Sequence, residues 1–161
     1  MAPSPPSEGA LADALDRYER LIEVGVGRRP GVALALADRG REVVAVDVEV
    51  SDAARDAASE TRGAGGGSLR VVAADVTALT TTGDRAVDRA FGLDAGEGNG
   101  DTTGVDAVYA RNLPAELQRP TVALAERLDA ACLFTTLGFE EPVVEVRRRS
   151  TESGPVVYVA R

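Results

Sequence analysis

The chain contains no lysine, no histidine and no tryptophan, and Cys132 is its single cysteine. Aromatic residues fill only 4% of its 161 positions. Each absence removes a class of chemistry. Without lysine there is no Schiff base for pyridoxal phosphate and no P-loop lysine to reach a nucleotide phosphate. Without histidine there is no imidazole base, no Ser-His-Asp triad and no His-ligated metal. One cysteine closes no intrachain disulfide and builds no zinc cluster. Apolar runs are only a few residues long, far short of a membrane span. Residues 1–9 (MAPSPPSEG) carry neither the basic stretch nor the apolar run of an export signal, and read as a disordered leader. The expectation is a cytoplasmic protein with one domain over residues 10–161.

What is present is carboxylate, guanidinium and backbone. Acidic residues number 26 against 18 basic ones, all of them Arg, for a net charge of −8. Hydrophobic residues reach 44% and glycines 17, enough for one domain with a real core. An acidic surface holds water and cations in a salt-filled cytoplasm, where high salt screens its repulsion. A GC-rich genome also favours Arg over Lys and raises Ala and Gly, but leaves the acid surplus unexplained. The acidity argues against non-specific nucleic-acid binding.

Periodicity orders the elements. Residues 10–20 (ALADALDRYER) place Leu11, Leu15 and Tyr18 on one helical face. A short strand over residues 21–24 runs into Gly25-Val26-Gly27, and Pro30 opens a helix that stops at Gly40. Residues 42–48 (EVVAVDV) and 69–76 (LRVVAADV) read as strands buried on both faces. Further strands fall at 105–110 (VDAVYA) and 131–137 (ACLFTTL), with a helix over 120–129 between them. Strands alternating with helices imply a mostly parallel sheet. Residues 142–148 and 156–161 read as a closing antiparallel hairpin. The expected fold is a Rossmann-like open α/β sheet, mostly parallel, with helices on both faces and an antiparallel pair at one edge. Polar insertions interrupt it at 51–68, an Ala-rich helical piece with a Gly-rich end, and at 77–104, which has a short helix near 86–91 and an acidic loop.

The strand that ends in Gly25-Val26-Gly27 before a helix lets a ligand approach the backbone and the helix N-terminus. Asp47 follows about twenty residues on, the spacing of an acid that accepts from ribose hydroxyls. Asp75 ends the third strand, where it would meet the base of a nucleoside. Pro30 stands where a dinucleotide fingerprint wants a third small residue, and Glu23 precedes the first glycine by two. That Glu-x-Gly-x-Gly pattern disfavours NAD and fits S-adenosylmethionine, with Glu23 positioning the amino end of the ligand. The alternative for Glu23 is a carboxylate capping amides of the loop. Arg28 and Arg29 are a solvated, salt-bridged pair or an anion clamp. Asn112, in Arg111-Asn112-Leu113-Pro114, sits where amino-directed methyltransferases carry an Asn/Asp-Pro-Pro-aromatic motif, although Leu113 and Ala115 replace two of its members. It is the candidate substrate contact. Cys132 reads as a small core residue, and Arg147-Arg148-Arg149 as the exposed end of a hairpin strand rather than a nucleic-acid patch.

Residues 22–30 (IEVGVGRRP), Asp47, residues 108–117 (VYARNLPAEL) and the strand ending at Leu137-Gly138 together resemble the archaeal uncharacterised protein family 0146. The resemblance implies a small methyltransferase-type Rossmann domain of unassigned activity. It carries Glu23, Gly25, Gly27 and Asp47 over as the cofactor side and matches Glu116 and Leu117. At Asn112 and Leu113 the chain departs from the family's Arg-Pro-Pro-rich stretch. The expected function is a methyltransferase-like protein that binds S-adenosylmethionine, with a small nucleoside ligand, no metal, and a homo-oligomer left open. A non-catalytic module that senses a nucleotide or pairs with another subunit is the alternative. An NAD-dependent oxidoreductase ranks third, for want of a Tyr-Lys or His proton donor.

Overall fold

The computed structural model describes residues 6–61, 67–80, 104–138, 140–151 and 154–161. The short helix expected near 86–91 and most of the acidic loop lie outside them. Seven strands form one sheet in the order β3-β2-β1-β4-β5-β7-β6. They are β1 (Arg20–Val24), β2 (Glu42–Asp47), β3 (Ser68–Ala73), β4 (Ala107–Ala110), β5 (Ala131–Phe134), β6 (Arg147–Thr151) and β7 (Gly154–Val159). The first five are parallel to one another. Strand β7 inserts antiparallel beside β5, and β6 folds back on β7 to become the edge. The expected hairpin therefore forms, with its second strand inside the sheet and its first at the rim.

Helices α1 (Pro6–Leu15), α2 (Gly31–Asp38) and α3 (Asp52–Glu60) cover one face, while α4 (Val76–Leu79) and α5 (Ala115–Arg127) cover the other. The central strands are buried throughout, so their side chains divide by alternation. Leu21, Tyr109 and Leu133 face the α1–α3 layer; Ile22, Val24, Val108, Cys132 and Phe134 face α5. Burial pushes the Cys132 thiol up to about 12, with Glu126 adding to the effect, so it is an inert core group.

Several boundaries differ from the sequence reading, most by a few residues at an element end, and four of them have a plain physical reason. Helix α1 begins at Pro6, inside the stretch read as leader, because Glu8, itself buried, finds an ion-pair partner in Arg111. Strand β3 ends at Ala73 and is not buried on both faces: it is a sheet edge, and only Leu69 of its six residues is fully buried. Helix α5 starts five residues before Pro120 and keeps that proline inside. The amide that Pro120 lacks would have bonded the carbonyl of Glu116, an exposed residue whose carbonyl solvent can satisfy. Strand β6 starts at Arg147 instead of residue 142, since Val143 hands its amide to Gln118 at 2.7 Å and not to a strand.

Gly67 leads into β3 against the end of α2. A Cβ there would collide with the carbonyl oxygen of Ala37, a backbone atom with little room to yield. Gly67→Ala is expected to cost about 1–3 kcal/mol by forcing the two segments apart. Urea unfolding of the variant checks this, and an unchanged midpoint would contradict it.

Candidate ligand site at the strand ends

The order 3-2-1-4-5 reverses between β1 and β4, and open α/β sheets bind ligands beyond the strand ends at such a reversal. There the chain leaves β1 through Gly25 and Gly27, with φ of 73° and 54°. Side chains rarely adopt that left-handed region, so glycine is the unstrained choice. The loop is tied to β2. Gly25 and Val26 donate to the Val46 carbonyl at 2.8 and 3.3 Å, and Gly27 donates to Oδ2 of Asp47 at 2.8 Å. The Ser51 hydroxyl donates to the Gly27 carbonyl at 2.7 Å while accepting from Ala54 as the cap of α3. No other described part of the chain stands within 4 Å of the place a Cβ would occupy at either glycine, so the loop fronts open space.

The amides of Gly25, Val26 and Gly27 go to Val46 and Asp47, so at these three positions the carboxylate that caps the loop is that of Asp47. Glu23 points from β1 into the α1–α2 side, 3% exposed, beside Tyr109 of β4 in register. Burial raises its pKa from 4.5 to about 7, against the lowering effect of Tyr109 and Arg111, while Glu8 and Asp47 push it further up. The Tyr109 hydroxyl lies against this carboxyl but makes no hydrogen bond of good geometry, and its own pKa is driven well up, by burial first and then by Glu23. Arg111 Nε stands 3.7 Å from Oε1 of Glu8. The other oxygen of Glu8 lies 2.6 Å from where a Cβ on Gly31 would be, over the start of α2. Glu8, Glu23 and Tyr109, all buried, thus form with the partly buried Arg111 a polar cluster beside the glycine loop.

Asp75 is exposed at the rim, where Oδ1 accepts from Thr77 at 2.9 Å and caps the short α4. A groove of about 90 Å³ runs between Val24, Gly25, Asp47, Val48, Asp75 and Leu117. By itself it is smaller than a nucleoside site, which needs some ~300 Å³ or more. At Asp47 and Val48 it meets a wider cleft of about 850 Å³ that extends past Ser51 to Arg55. Val48 is 71% exposed, a large apolar side chain left bare next to Asp47. Arg28 also lines the wide cleft, and among the described residues neither Arg28 nor Arg29 pairs with an acid. The salt-bridged reading of that pair does not hold there.

After β4 the chain turns sharply. Asn112 adopts φ 52° and donates its amide to the Thr135 hydroxyl at 2.9 Å. Leu113 is buried, its amide on the Thr135 carbonyl at 2.8 Å and its carbonyl on the Gln118 side chain at 3.2 Å. The buried Gln118 therefore ties this loop to Val143. Asn112 is half-buried and stands on a neighbouring strand end, while Gly25, Gly27 and Asp47 meet where β1 and β2 end, with Glu23 in β1 just before them. Because Asn tolerates the left-handed region and β-branched residues do not, Asn112→Val is expected to cost about 1–2 kcal/mol and Asn112→Gly less than ~0.5 kcal/mol. Thermal melts of the two variants test this, and equal losses would point to a side-chain contact instead of backbone strain.

A seven-stranded sheet in this order, with Glu-x-Gly-x-Gly leaving β1 and an acid at the end of β2, defines a methyltransferase-like Rossmann domain. The chain is similar over 96% of its length to the magnesium protoporphyrin IX methyltransferase of Synechocystis PCC 6803, solved with bound S-adenosylmethionine, at TM-score 0.56 and 12% identity across 80% of that chain. A hypothetical protein of Thermus thermophilus matches at TM-score 0.59 and 20% identity, covering 99% of this chain and 88% of that one. The 1,6-didemethyltoxoflavin-N1-methyltransferase of Burkholderia thailandensis, solved with S-adenosylhomocysteine, matches at TM-score 0.52 and 17% identity over 96% of this chain and 59% of its own. At these identities the likeness is one of fold.

Sequence places the chain more closely. Residues 66–161 match the model of the uncharacterised protein family UPF0146. UPF0146 proteins from two strains of the halophilic archaeon Halobacterium salinarum are 38% identical over 151 residues, 94% of each chain. The protein belongs to this family. Among its described residues, no helix is long and apolar enough to cross a membrane.

Proposed function

We propose that the chain binds S-adenosylmethionine across the ends of β1, β2 and β3 and is a methyltransferase-like protein. The observation that carries this reading is the glycine loop, open to the outside at Gly25 and Gly27 and anchored from below by one oxygen of Asp47. The two glycines admit the ligand to the backbone. The second oxygen of Asp47, held only by a long 3.5 Å contact from the Glu49 amide, is the acceptor for ribose hydroxyls. Asp75 keeps Oδ2 for the base, and Val48 and Leu117 offer apolar flanks to a flat heterocycle. Glu23 balances the amino end by its charge from beside the loop. When bound, the ligand supplies a methyl group already activated on sulfur, so the task of the protein is to orient it.

One observation favours the non-catalytic, sensing alternative. In the motif that would hold a target nitrogen, the Leu113 carbonyl is already engaged by Gln118. Calorimetry in high salt with S-adenosylmethionine, S-adenosylhomocysteine and NAD tests the binding. The first two are expected to bind and NAD is not. No heat with either sulfur ligand, in folded protein, would overturn the proposal. Methyl transfer from labelled S-adenosylmethionine to extracts of the source organism separates enzyme from sensor.

A further inference from the structure

The acidic balance of the chain has a local exception at the β6 edge. Arg147 pairs with Val159 across the β7 ladder, and Arg149 with Val157. Directly opposed residues in an antiparallel pair share a face. Val157 belongs to the core on the α1 side and Val159 packs against it, so Arg147 and Arg149 leave the sheet toward α1. There the segment between α1 and β1 brings Arg17 and Tyr18, with the Arg17 guanidinium 5.5 Å from the centre of the tyrosine ring. The four side chains, with Leu133 and Val159, line a groove of about 360 Å³ that no Asp or Glu among the described residues enters. Arg148 and Arg161 stand at its margins but are committed elsewhere, Arg148 to Glu141 at 2.7 Å and Arg161 to Asp129 at 2.5 Å. Arg17, Arg147 and Arg149 form no ion pair with a described acid, whereas Arg20, Arg39 and Arg41 do.

We propose that this groove binds the backbone of a single-stranded polynucleotide. Acids outnumber arginines 26 to 18 in this chain, so three arginines without an ion pair to a described acid, around a groove that no described acid lines, make a place for an outside anion. Guanidinium forks match phosphodiester oxygens, and the half-buried Tyr18 ring with Arg17 over it gives a base a surface to stack on. The same charges oppose pairing of β6 with the β6 of a second copy. An acidic peptide would use the arginines and leave the aromatic surface idle. Arg147 begins its strand and Tyr18 precedes β1, so the groove lies toward the opposite end of the sheet from the glycine loop and stands apart from it. The run of three arginines alone gives no such reading; Arg17 and Tyr18, brought to it by α1, complete it.

Fluorescence anisotropy with labelled oligouridylate, oligothymidylate and a polyglutamate peptide tests this, over salt concentrations at which circular dichroism shows folded protein. Both oligonucleotides, or oligouridylate alone if ribose is also read, are expected to bind. The slope of log K against log salt should be about −2, from three phosphate contacts at ~0.7 each. The R17Q/R147Q/R149Q variant should bind at least about tenfold more weakly with a flatter slope, and Arg119→Gln should match the parent. Failure of both oligonucleotides to bind, binding by the triple variant equal to the parent, or binding of the peptide alone would each overturn the proposal.

Discussion

Replacing Asp47 by Ala is expected to weaken S-adenosylmethionine binding by about two orders of magnitude. The carboxylate does two jobs at once. Its Oδ2 fixes the Gly27 amide at 2.8 Å, which holds the loop in its left-handed turn, and in the proposed complex its Oδ1 accepts from the ribose. Hydrogen bonds to a charged group contribute about 1.5–3 kcal/mol each, and ~3 kcal/mol corresponds to roughly a hundredfold in affinity. Asp47→Asn keeps a neutral acceptor for Gly27 and should lose about tenfold, since the charge assistance goes. The ordering of parent, Asn and Ala by calorimetry is the readout. Parent-like binding by Asp47→Ala would remove the ribose assignment even if the ligand binds.

The second large effect is on pH dependence. Glu23 titrates near 4.5 when unfolded and near 7 when folded, because burial disfavours its charge more than Tyr109 and Arg111 favour it. The folded state therefore holds the proton more tightly. Its contribution is full below about 4.5 and is lost as pH rises to about 7, which amounts to about 3 kcal/mol. Glu23→Gln keeps the shape without the charge. Its stability should lack this decline, leaving it the more stable protein at pH 8 by up to ~3 kcal/mol, as read from urea midpoints at several pH values. A ligand ammonium near Glu23 would draw the proton off, so S-adenosylmethionine affinity should rise with pH up to about 7 in the parent and stay flat in Glu23→Gln. Parallel stability profiles for the two proteins would contradict the buried, protonated carboxyl.

Much of the fold was legible because its signals are local. Unbroken β-branched runs such as EVVAVDV mark strands, and helices between them imply parallel pairing. The misplacements occur where tertiary contacts decide. Nothing in LRVVAADV says that its strand lies at an edge, since edge position depends on sheet order. Pro120 looks like a helix start until solvent-exposed Glu116 makes the missing hydrogen bond tolerable. Residues 6–9 look disordered because their partner, Arg111, is more than a hundred residues away.

The candidate site divides in the same way. Gly25, Gly27 and Asp47 stand out by spacing, and the structure joins Gly27 to Asp47 directly and Gly25 to the neighbouring Val46 carbonyl. Ser51 had a signal that could have been read, a Ser just before the Ala-rich helical piece, which is the mark of an N-cap. Val48 was misplaced: the sequence reads it inside a buried strand over 42–48, whereas β2 ends at Asp47 and leaves Val48 exposed beyond the sheet. Tyr109, Glu8 and Gln118 carried no signal. Their roles come from register and from packing between distant segments, and Leu113 does not announce from sequence that its carbonyl is already in use.

The most direct test of a ligand site at these strand ends is a nitrogen-15 NMR titration with S-adenosylhomocysteine under salt that keeps the protein folded. The amides of Gly25, Val26, Gly27, Val48 and Asp75 should shift in a saturable way, while those of Arg147 and Arg149 at the far edge stay still. Saturable shifts confined to other surfaces, or none at all in folded protein, would contradict the assignment.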